Sequence, residues 1–356
     1  MRNHVREPLI PPLDTLKTSL EHEATERLSQ FLTGIHRYRT YPRRPAPKRP
    51  PPSWKQGTTE VHKHGLSGPP ILIIPSLINR GDIFDLCPTH SFVRTLARDG
   101  FQVFWVDWGT PCHDEFTFGL SDYILKRLSP AVEHIRNATG YAPVVIGYCM
   151  GGLLALALVA HRPDICRAYG ALATPWDFHV PGTLKNAADH FGSLCISLAE
   201  QIGFLPEDIL HAFFSSLTPG LVAQKFRRFA DLPHHSPQAD MFVAVEDWLS
   251  DGVPVTTAVI RECLELWYRD NATARLQWSV ADTRVSPDQI TVPSFVVLST
   301  CDRLVPLDSS RALAQALPHA HTINVDLGHI GMMTGCRAYA KVHAPLKQWI
   351  AAVIKN

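Results

Sequence analysis

The sequence predicts an α/β protein: a mostly parallel sheet flanked by helices, with a helical cap inserted between the later strands. Three observations lead to this class. Apolar, strand-like runs alternate with helical patterns from about residue 60 to Trp176. Several of these runs are apolar at nearly every position, as in strands that are buried on both faces. The alternation stops over residues 177–289, where the pattern is mainly helical, and resumes after residue 290.

The individual elements follow from these patterns. Helices are predicted at 92–98, at 121–139, directly after residue 149, at 309–316 and at the C-terminal end. Strand, helix and parallel strand in succession predict right-handed crossovers. The predicted strands are 71–78, 101–108, 142–149, 166–174, 292–300 and 321–327.

The N-terminal region has a different pattern. Apolar residues such as Leu16, Leu20 and Leu28 recur at helical spacing over residues 13–37, and a proline-rich basic stretch follows at 41–54. This predicts an amphipathic helix and an extended linker. The helix has three candidate docking surfaces: the catalytic domain, a second subunit or an apolar surface. We favour packing within the protein or its dimer. The predicted domains are 1–54 (helix and linker), 55–176 with 290–356 (core) and 177–289 (cap).

Composition narrows the class of protein. The chain has 356 residues, of which 45% are hydrophobic, so a sizeable core is expected. A net charge of +1 argues against a nucleic-acid partner. Eight cysteines without a CxxC pair indicate reduced thiols and no metal site. Residues 1–12 lack the apolar core of a signal peptide, and no apolar run reaches membrane-spanning length, so a cytoplasmic protein is expected. Four histidines are predicted to lie at the surface: His62, His64, His234 and His235.

The segment VVIGYCMGG, at 144–152, carries the chemistry. It has the form G-x-C-x-G-G between a buried strand and an apolar helix, which is the nucleophile elbow of the α/β-hydrolase fold with cysteine in place of serine. Gly147 and Gly151 remove side chains that would collide with neighbouring backbone. The helix N-terminus favours a thiolate at Cys149. The backbone N–H of Met150 is a predicted oxyanion donor.

The other catalytic residues are expected in the order nucleophile, acid, histidine. Asp302 follows a predicted strand, at the edge where doubly wound sheets carry their sites. His329 lies just past the next strand, between two glycines. Asp326 is the rival acid, ranked lower because it falls within the predicted strand 321–327. Cys149, His329 and Asp302 are therefore the predicted nucleophile, base and acid.

A second oxyanion donor is expected in the loop 75–80, at the backbone N–H of Leu77 or Ile78. Polar and aromatic residues also stand at two strand ends, where lining of an acyl pocket and simple packing are equally plausible: Asp107, Trp108, Trp176 and Asp177.

Several segments together resemble the polyhydroxyalkanoate synthases over about residues 65–350. In order these are PSLINRGDIFDL, FWVDWGTP, GYCMGG, ATPWDF, the segment 242–271, CDRLVP and GHIGMMTG. The length is most similar to the short synthases that work with a partner subunit. The resemblance implies that Cys149 accepts the acyl group, that His329 is the general base, and that Asp302 supports His329 or the substrate hydroxyl.

The resemblance also implies a 3-hydroxyacyl-CoA substrate, with CoA as the leaving group and no bound cofactor. It implies a homodimer or a hetero-oligomer with a partner subunit, acting in the cytoplasm or at the surface of a polyester granule. The basic linker residues Arg43, Arg44, Lys48 and Arg49 could contact CoA phosphates, but a solvated charged linker is favoured.

Two other classes of function stay open at this point. A cysteine hydrolase, such as a thioesterase, a lactone hydrolase or a polyester depolymerase, needs the same three residues in a wetter pocket. A non-catalytic granule-associated or scaffold protein would have no chemical need for them. Analysis of the reaction products separates the first class from a synthase.

Overall fold

The computed structural model describes residues 13–44, 47–88, 90–217 and 219–355. The described residues form two compact units. The smaller consists of 13–44 and 219–243, and the larger of 47–88, 90–217 and 244–355. The prediction about a signal peptide concerns residues 1–12, which lie outside the described residues. These units do not decide where the predicted cap begins or ends, and that boundary stays a prediction.

The strands are β1 (Trp54–Gln56), β2 (Thr59–His64), β3 (Pro70–Ile74), β4 (Gln102–Asp107), β5 (Val144–Tyr148), β6 (Ala168–Leu172), β7 (Phe204–Leu205), β8 (Val255–Thr256), β9 (Ser279–Val280), β10 (Thr283–Arg284), β11 (Ser294–Ser299) and β12 (Ala320–Val325). Most of them belong to one sheet, in the order β1-β2-β4-β3-β5-β6-β11-β12. Strands β3 to β6, β11 and β12 run parallel to one another, whereas β2 pairs antiparallel with β4, and β1 with β2, at one edge.

The α-helices are α1 (Leu13–Thr40), α2 (Phe92–Arg98), α3 (Leu120–Tyr123), α4 (Ser129–Thr139), α5 (Met150–His161), α6 (Thr183–Ile202), α7 (Glu207–Ser216), α8 (Pro219–Asp231), α9 (Pro237–Ser250), α10 (Thr257–Glu262), α11 (Leu307–Ala316), α12 (Gly331–Thr334) and α13 (Ala344–Lys355). Three short π-helical segments adjoin helices α3, α4, α10 and α13: Ile124–Leu128, Cys263–Arg269 and Tyr339–His343. Turns of 3₁₀-helix lie at Gly81–Phe84, His113–Glu115 and Pro287–Gln289.

The central strands are buried on both faces, which explains their continuous apolar sequences. In β5, Val145 packs into one hydrophobic layer, whereas Val144 and Ile146 pack into the layer on the other face. The predicted α/β class with a parallel sheet is confirmed. The predicted strand 71–78 is too long, since β3 ends at Ile74, where Pro75 offers no N–H to a further strand bond.

The antiparallel edge strands were not predicted, because β2 (TEVHKH) lacks a continuous apolar run. The prediction that His62 lies at the surface is wrong. Its side chain is 3% exposed and packs against Trp105, and its Nδ1 lies 2.9 Å from the carbonyl oxygen of Pro50. His64 is partly buried, 3.3 Å from the carboxylate of Asp85. Burial between a tryptophan and backbone is a structural use of histidine that the local sequence does not reveal.

The smaller unit joins α1 to α8. Gly34 allows the helices to touch, since a Cβ there would lie 2.0 Å from the carbonyl oxygen of Phe226. Arg37 donates to the carbonyl oxygens of Phe229 (2.9 Å), Ala230 and Leu232, which closes the C-terminal end of α8. The predicted helix is therefore present and longer than expected. The helix leaves a row of leucines exposed: Leu13, Leu16, Leu20, Leu28 and Leu32.

In the part of the linker that belongs to the larger unit, Arg49 is held by carboxylates. Arg49 bonds to Asp82, with 2.6 Å between Nε and Oδ1, and also pairs with the buried carboxylate of Asp107. For Arg49, the prediction of a solvated linker is therefore wrong, because its guanidinium is committed to two carboxylates. Among the described helices, none is long and apolar enough to cross a bilayer.

Candidate active site

Cys149 occupies the turn between β5 and α5. Its backbone has φ 56° and ψ −126°, a conformation that costs free energy for a residue with a side chain. Two backbone bonds hold it: Cys149 N–H donates to the oxygen of Leu172 (2.8 Å), and Gly152 N–H donates to the oxygen of Cys149 (3.0 Å). The thiol therefore sits in a strained turn that its surroundings impose.

The glycines around Cys149 explain how the turn is held. A Cβ at Gly147 would lie 2.3 Å from the oxygen of Gly151, and a Cβ at Gly151 would lie 2.1 Å from the oxygen of Ile74. Backbone therefore packs directly on backbone where β3, β5 and α5 meet. Since backbone atoms cannot move aside as the end of a flexible side chain can, only glycine fits at either position.

The loops after β11 and β12 bring Asp302 and His329 together. Nδ1 of His329 lies 2.6 Å from Oδ2 of Asp302. The other carboxylate oxygen accepts from the N–H groups of Leu304 (2.8 Å) and Val305 (3.0 Å), so the carboxylate cannot rotate freely. The bond to Asp302 places the proton on Nδ1 and leaves Nε2 as the nitrogen that can serve another group.

The electrostatics join His329 to Cys149. Burial by itself lowers the pKa of His329, but the negative charges of Cys149 and Asp302, with the hydrogen bond to Asp302, raise it to about 10. The raised pKa means that the folded chain keeps a proton that the unfolded chain releases near pH 6.5. This contribution to stability is complete below about pH 6.5 and is lost as pH rises toward 10.

Sequence reasoning missed two residues that hold the loops. Ser299, the last residue of β11, donates to the oxygen of Leu327 and accepts from Cys301 N–H (3.1 Å), so one hydroxyl bonds both loops. Tyr148 donates from its hydroxyl to the oxygen of His329 (3.0 Å). Ser299 lies at the end of a predicted strand, but its bond goes to a backbone carbonyl. Any residue type can supply that carbonyl, so the sequence does not indicate the bond.

Of the predicted oxyanion donors, Met150 adjoins Cys149 at the elbow, and Leu77 lies in another loop. Met150 is the first residue of α5, so its N–H is among those that the helix leaves unbonded. Leu77 is buried in the loop after β3. The N–H of Ile78, the other donor considered, points to the hydroxyl of Ser76 at a long 3.5 Å. The roles of Met150 and Leu77 stay predictions.

The rival acid is elsewhere. Asp326 follows β12 rather than lying within it, so the reason given for its low rank is wrong. Its exposed carboxylate pairs with Lys341 and with Arg337 (2.8 Å), which lower its pKa to about 2. Asp302, rather than Asp326, contacts the histidine.

The strand-end residues are engaged in packing. Trp108 is buried and donates from its indole N–H to the oxygen of Pro75 (3.3 Å). Asp177 accepts from the side chain of Asn271 (2.9 Å), and Trp176 N–H donates to the hydroxyl of Ser309 (3.1 Å). Among the described residues, no group of three or more histidines, cysteines or carboxylates is placed to hold a metal ion.

Comparisons with known proteins indicate which family the chain resembles. Residues 69–200 match the family described as alpha/beta hydrolase fold. Over 286 residues the chain is 29% identical to the poly(3-hydroxyalkanoate) polymerase subunit PhaC of Allochromatium vinosum, covering 79% of this chain and 80% of that one. The chain is thus similar over 79% of its length to several poly(3-hydroxyalkanoate) polymerase subunits. The predicted resemblance is thereby confirmed.

A second member of the family, the polymerase subunit PhaC of Haloferax mediterranei, is 28% identical over 288 residues. That alignment covers 79% of this chain but 58% of the relative, so the chain spans little more than half of the length of that protein. Among solved structures, the monoacylglycerol lipase of Paleococcus ferrophilus is similar with a TM-score of 0.52 and 16% identity, over 83% of this chain and 99% of that one. At that identity the likeness supports the fold alone.

Proposed function

We propose that the protein is an acyltransferase that polymerises 3-hydroxyacyl-CoA into polyhydroxyalkanoate through a thioester on Cys149. One observation carries the proposal: in a chain similar to the polymerase subunits, Nδ1 of His329 lies 2.6 Å from Oδ2 of Asp302, and a cysteine at the nucleophile elbow helps to raise the pKa of His329. The three residues take the roles of acid, base and nucleophile.

In the first step, the thiolate of Cys149 attacks the thioester carbonyl carbon of the substrate. The N–H groups of Met150 and Leu77 donate to the oxygen, which becomes negative in the tetrahedral intermediate. The carbon–sulfur bond to CoA then breaks, and His329 gives its proton to the departing sulfur. Because one thioester replaces another, the acyl group stays activated.

In the second step, the hydroxyl of another 3-hydroxyacyl chain attacks the thioester on Cys149. His329, now neutral, takes the hydroxyl proton while the carbon–sulfur bond to Cys149 breaks. An ester forms, and the thiolate beside a protonated imidazole is restored. Asp302 keeps the imidazole oriented throughout, so Nε2 carries each proton in turn.

Water must be kept from the thioester for polymer to form. We propose residues 177–289 as a cap that excludes it. Contacts between the described ends of this segment support the proposal: Asn271 bonds to Asp177 (2.9 Å) and accepts from Phe178 N–H (3.0 Å), and Phe178 packs on Tyr268. These contacts would hold the start of the cap, at 177–178, against its later part, at 268–271.

The family relationship also supports proposals about partners and place. CoA leaves as a product, and no resident cofactor takes part in either step. Relatives are named polymerase subunits, which supports a partner subunit for this chain, in a homodimer or hetero-oligomer. We place the activity in the cytoplasm, at the surface of the polyester granule where the growing chain collects.

The test is to incubate the purified chain with 3-hydroxybutyryl-CoA and to analyse protein and products by mass spectrometry. We expect an acyl group on the peptide that contains Cys149, free CoA, and oligomeric esters. Cys149→Ala should give none of these. Cys301→Ala, which removes an exposed thiol next to Asp302, is the matched control and should behave as the unmodified chain does.

The outcomes separate the classes of function. Free 3-hydroxybutyrate without oligomers would show a hydrolase instead. Acylation of Cys149 without oligomers would mean that elongation needs the partner subunit. Equal turnover in the chain and in Cys149→Ala would contradict the proposed nucleophile.

A further inference from the structure

Tyr148 precedes Cys149 in the chain, yet its side chain reaches the base rather than the thiol. It is the last residue of β5, and its buried ring packs in the hydrophobic layer that also contains Phe84. Its hydroxyl donates to the oxygen of His329 at 3.0 Å, and its ring centre lies 5.1 Å from the imidazole centre. One side chain thus contacts both the backbone and the ring of His329.

The loop that carries His329 is not confined by close packing at its glycines. A Cβ at Gly331 would meet no atom within 4 Å, and one at Gly328 would lie 3.9 Å from its nearest neighbour. The other bond to the oxygen of His329, from Met332 N–H, is 3.4 Å long. Since the glycines leave room for the loop to shift, hydrogen bonds to its backbone help to decide where the imidazole sits.

The sheet does not join the nucleophile to the base directly. Strands β6 and β11 lie between β5, which leads into Cys149, and β12, which leads into His329. A bond from Tyr148 spans that gap in one step.

We propose that the hydroxyl of Tyr148 is a positioning group that aims the imidazole of His329 at Cys149. The proposal rests on the roles given above to Cys149 and His329. The phenol suits this task because burial, with the nearby charges of Cys149 and Asp302, raises its pKa well above the ordinary value. It therefore remains a donor throughout the pH range in which the protein is folded.

The test compares Tyr148→Phe with a matched control, Tyr169→Phe. Tyr169 stands in the neighbouring strand β6, is fully buried, and donates from its hydroxyl to the oxygen of Gly152 at 2.9 Å. Each substitution keeps the ring and removes one buried hydrogen bond to a backbone carbonyl. Only Tyr148 contacts His329, so a difference between the variants reports positioning rather than general loss of stability.

Two measurements on the full chain avoid dependence on turnover. The first is the pKa of His329, followed by NMR of the imidazole. The second is the rate at which iodoacetamide alkylates Cys149, measured against pH and read from the Cys149 peptide, because other thiols such as Cys301 are also exposed. In Tyr148→Phe we expect the pKa of His329 to fall by about one unit, because the imidazole turns away from Cys149, and the pH profile of alkylation to shift with it. Tyr169→Phe should leave both unchanged.

An unchanged pKa of His329 and an unchanged alkylation profile in Tyr148→Phe would overturn the proposal. Equal changes in the two variants would overturn it as well, since a general loss of stability would then explain them. Neither measurement requires polymer formation. A shifted pKa in Tyr148→Phe would therefore support positioning even if the chain proved to be a hydrolase.

Discussion

The nucleophile elbow and the loops of Asp302 and His329 are held in place by different forces. At the elbow, backbone packs on backbone, and a methyl group at Gly151 would lie 2.1 Å from the oxygen of Ile74. At the loops, the bonds come from side chains to backbone: Ser299 to Leu327, and Tyr148 to His329.

The difference separates two tasks. In the proposed mechanism the thiol must stand at one point, and close packing resists any displacement of it. The imidazole would exchange protons with several partners, and hydrogen bonds orient it without fixing every atom around it. We expect substitutions at the elbow to affect folding first, and substitutions at the loops to affect chemistry first.

The largest effect is expected at the acid. In Asp302→Asn, the N–H groups of Leu304 and Val305 should still donate to the side-chain oxygen. The amide NH₂ would then face Nδ1 of His329. The imidazole proton then moves to Nε2, the wrong nitrogen, and turnover of acyl-CoA should fall about 10³-fold. Asp326→Asn is the matched control, since that carboxylate pairs with surface cations, and its turnover should be unchanged. Equal losses in both variants would contradict the assignment of Asp302.

The next largest effect concerns stability, and it compares the elbow with the loop of His329 by replacing one glycine in each with alanine. Gly151→Ala should lower the free energy of unfolding by about 3 kcal/mol, because the methyl group forces β3 and α5 apart. Gly331→Ala should change it by less than about 1 kcal/mol, since a Cβ there meets no atom within 4 Å. Denaturant unfolding of both variants measures the difference. Similar losses at the two glycines would show that close packing does not distinguish the regions.

The stability of the protein is expected to depend on pH through His343, which lies against the loop that carries His329. His343 is buried and bonds from Nε2 to the oxygen of Met332 (3.2 Å), and burial lowers its pKa to about 4 despite that bond. The unfolded histidine takes up a proton near pH 6.5 that the folded one refuses, so stability is lost as pH falls from about 6.5 to 4.

This loss should amount to at most about 3 kcal/mol. In His343→Gln, which retains an N–H donor but does not titrate, that part of the pH dependence should be absent. Unfolding free energies of both proteins at several pH values provide the check. Parallel curves between pH 4 and 6.5 would mean that His343 does not contribute.

The smallest effect is expected at Ser299. Ser299→Ala removes the bonds to Leu327 and Cys301 and should lower the free energy of unfolding by about 1–2 kcal/mol. Ser310→Ala is the control, because it loses one buried bond to the oxygen of Thr174 (2.8 Å) without touching either loop. Only the first variant should also turn over substrate more slowly. A similar loss of turnover in both would assign the effect to stability alone.

Much of the fold was predictable because burial on both faces leaves a continuous apolar run, as in β3, β5 and β11. The ends of these strands were less predictable, since Pro75 stops β3 inside such a run. The edge strands β1 and β2 carry no such run, and His62 is buried by Trp105, which lies far away in the sequence.

The candidate site divides in the same way. The glycines around Cys149 and the chain order of acid and histidine are local signals, and they pointed to Asp302 and His329, which the fold brings into contact. The bond from Tyr148 to His329 joins residues that are 181 positions apart and ends on a carbonyl oxygen. Every residue has a backbone oxygen, so the residue types in the sequence do not predict such a bond.

The backbone of Cys149 has a further consequence. Its φ of 56° is one that glycine adopts without strain and cysteine does not. The chain is therefore held below the stability that its fold would allow, at the residue that we propose as its nucleophile. Cys149→Gly should unfold at a higher temperature than the parent while losing all acyl transfer, so selection for durability and selection for activity oppose each other at this position.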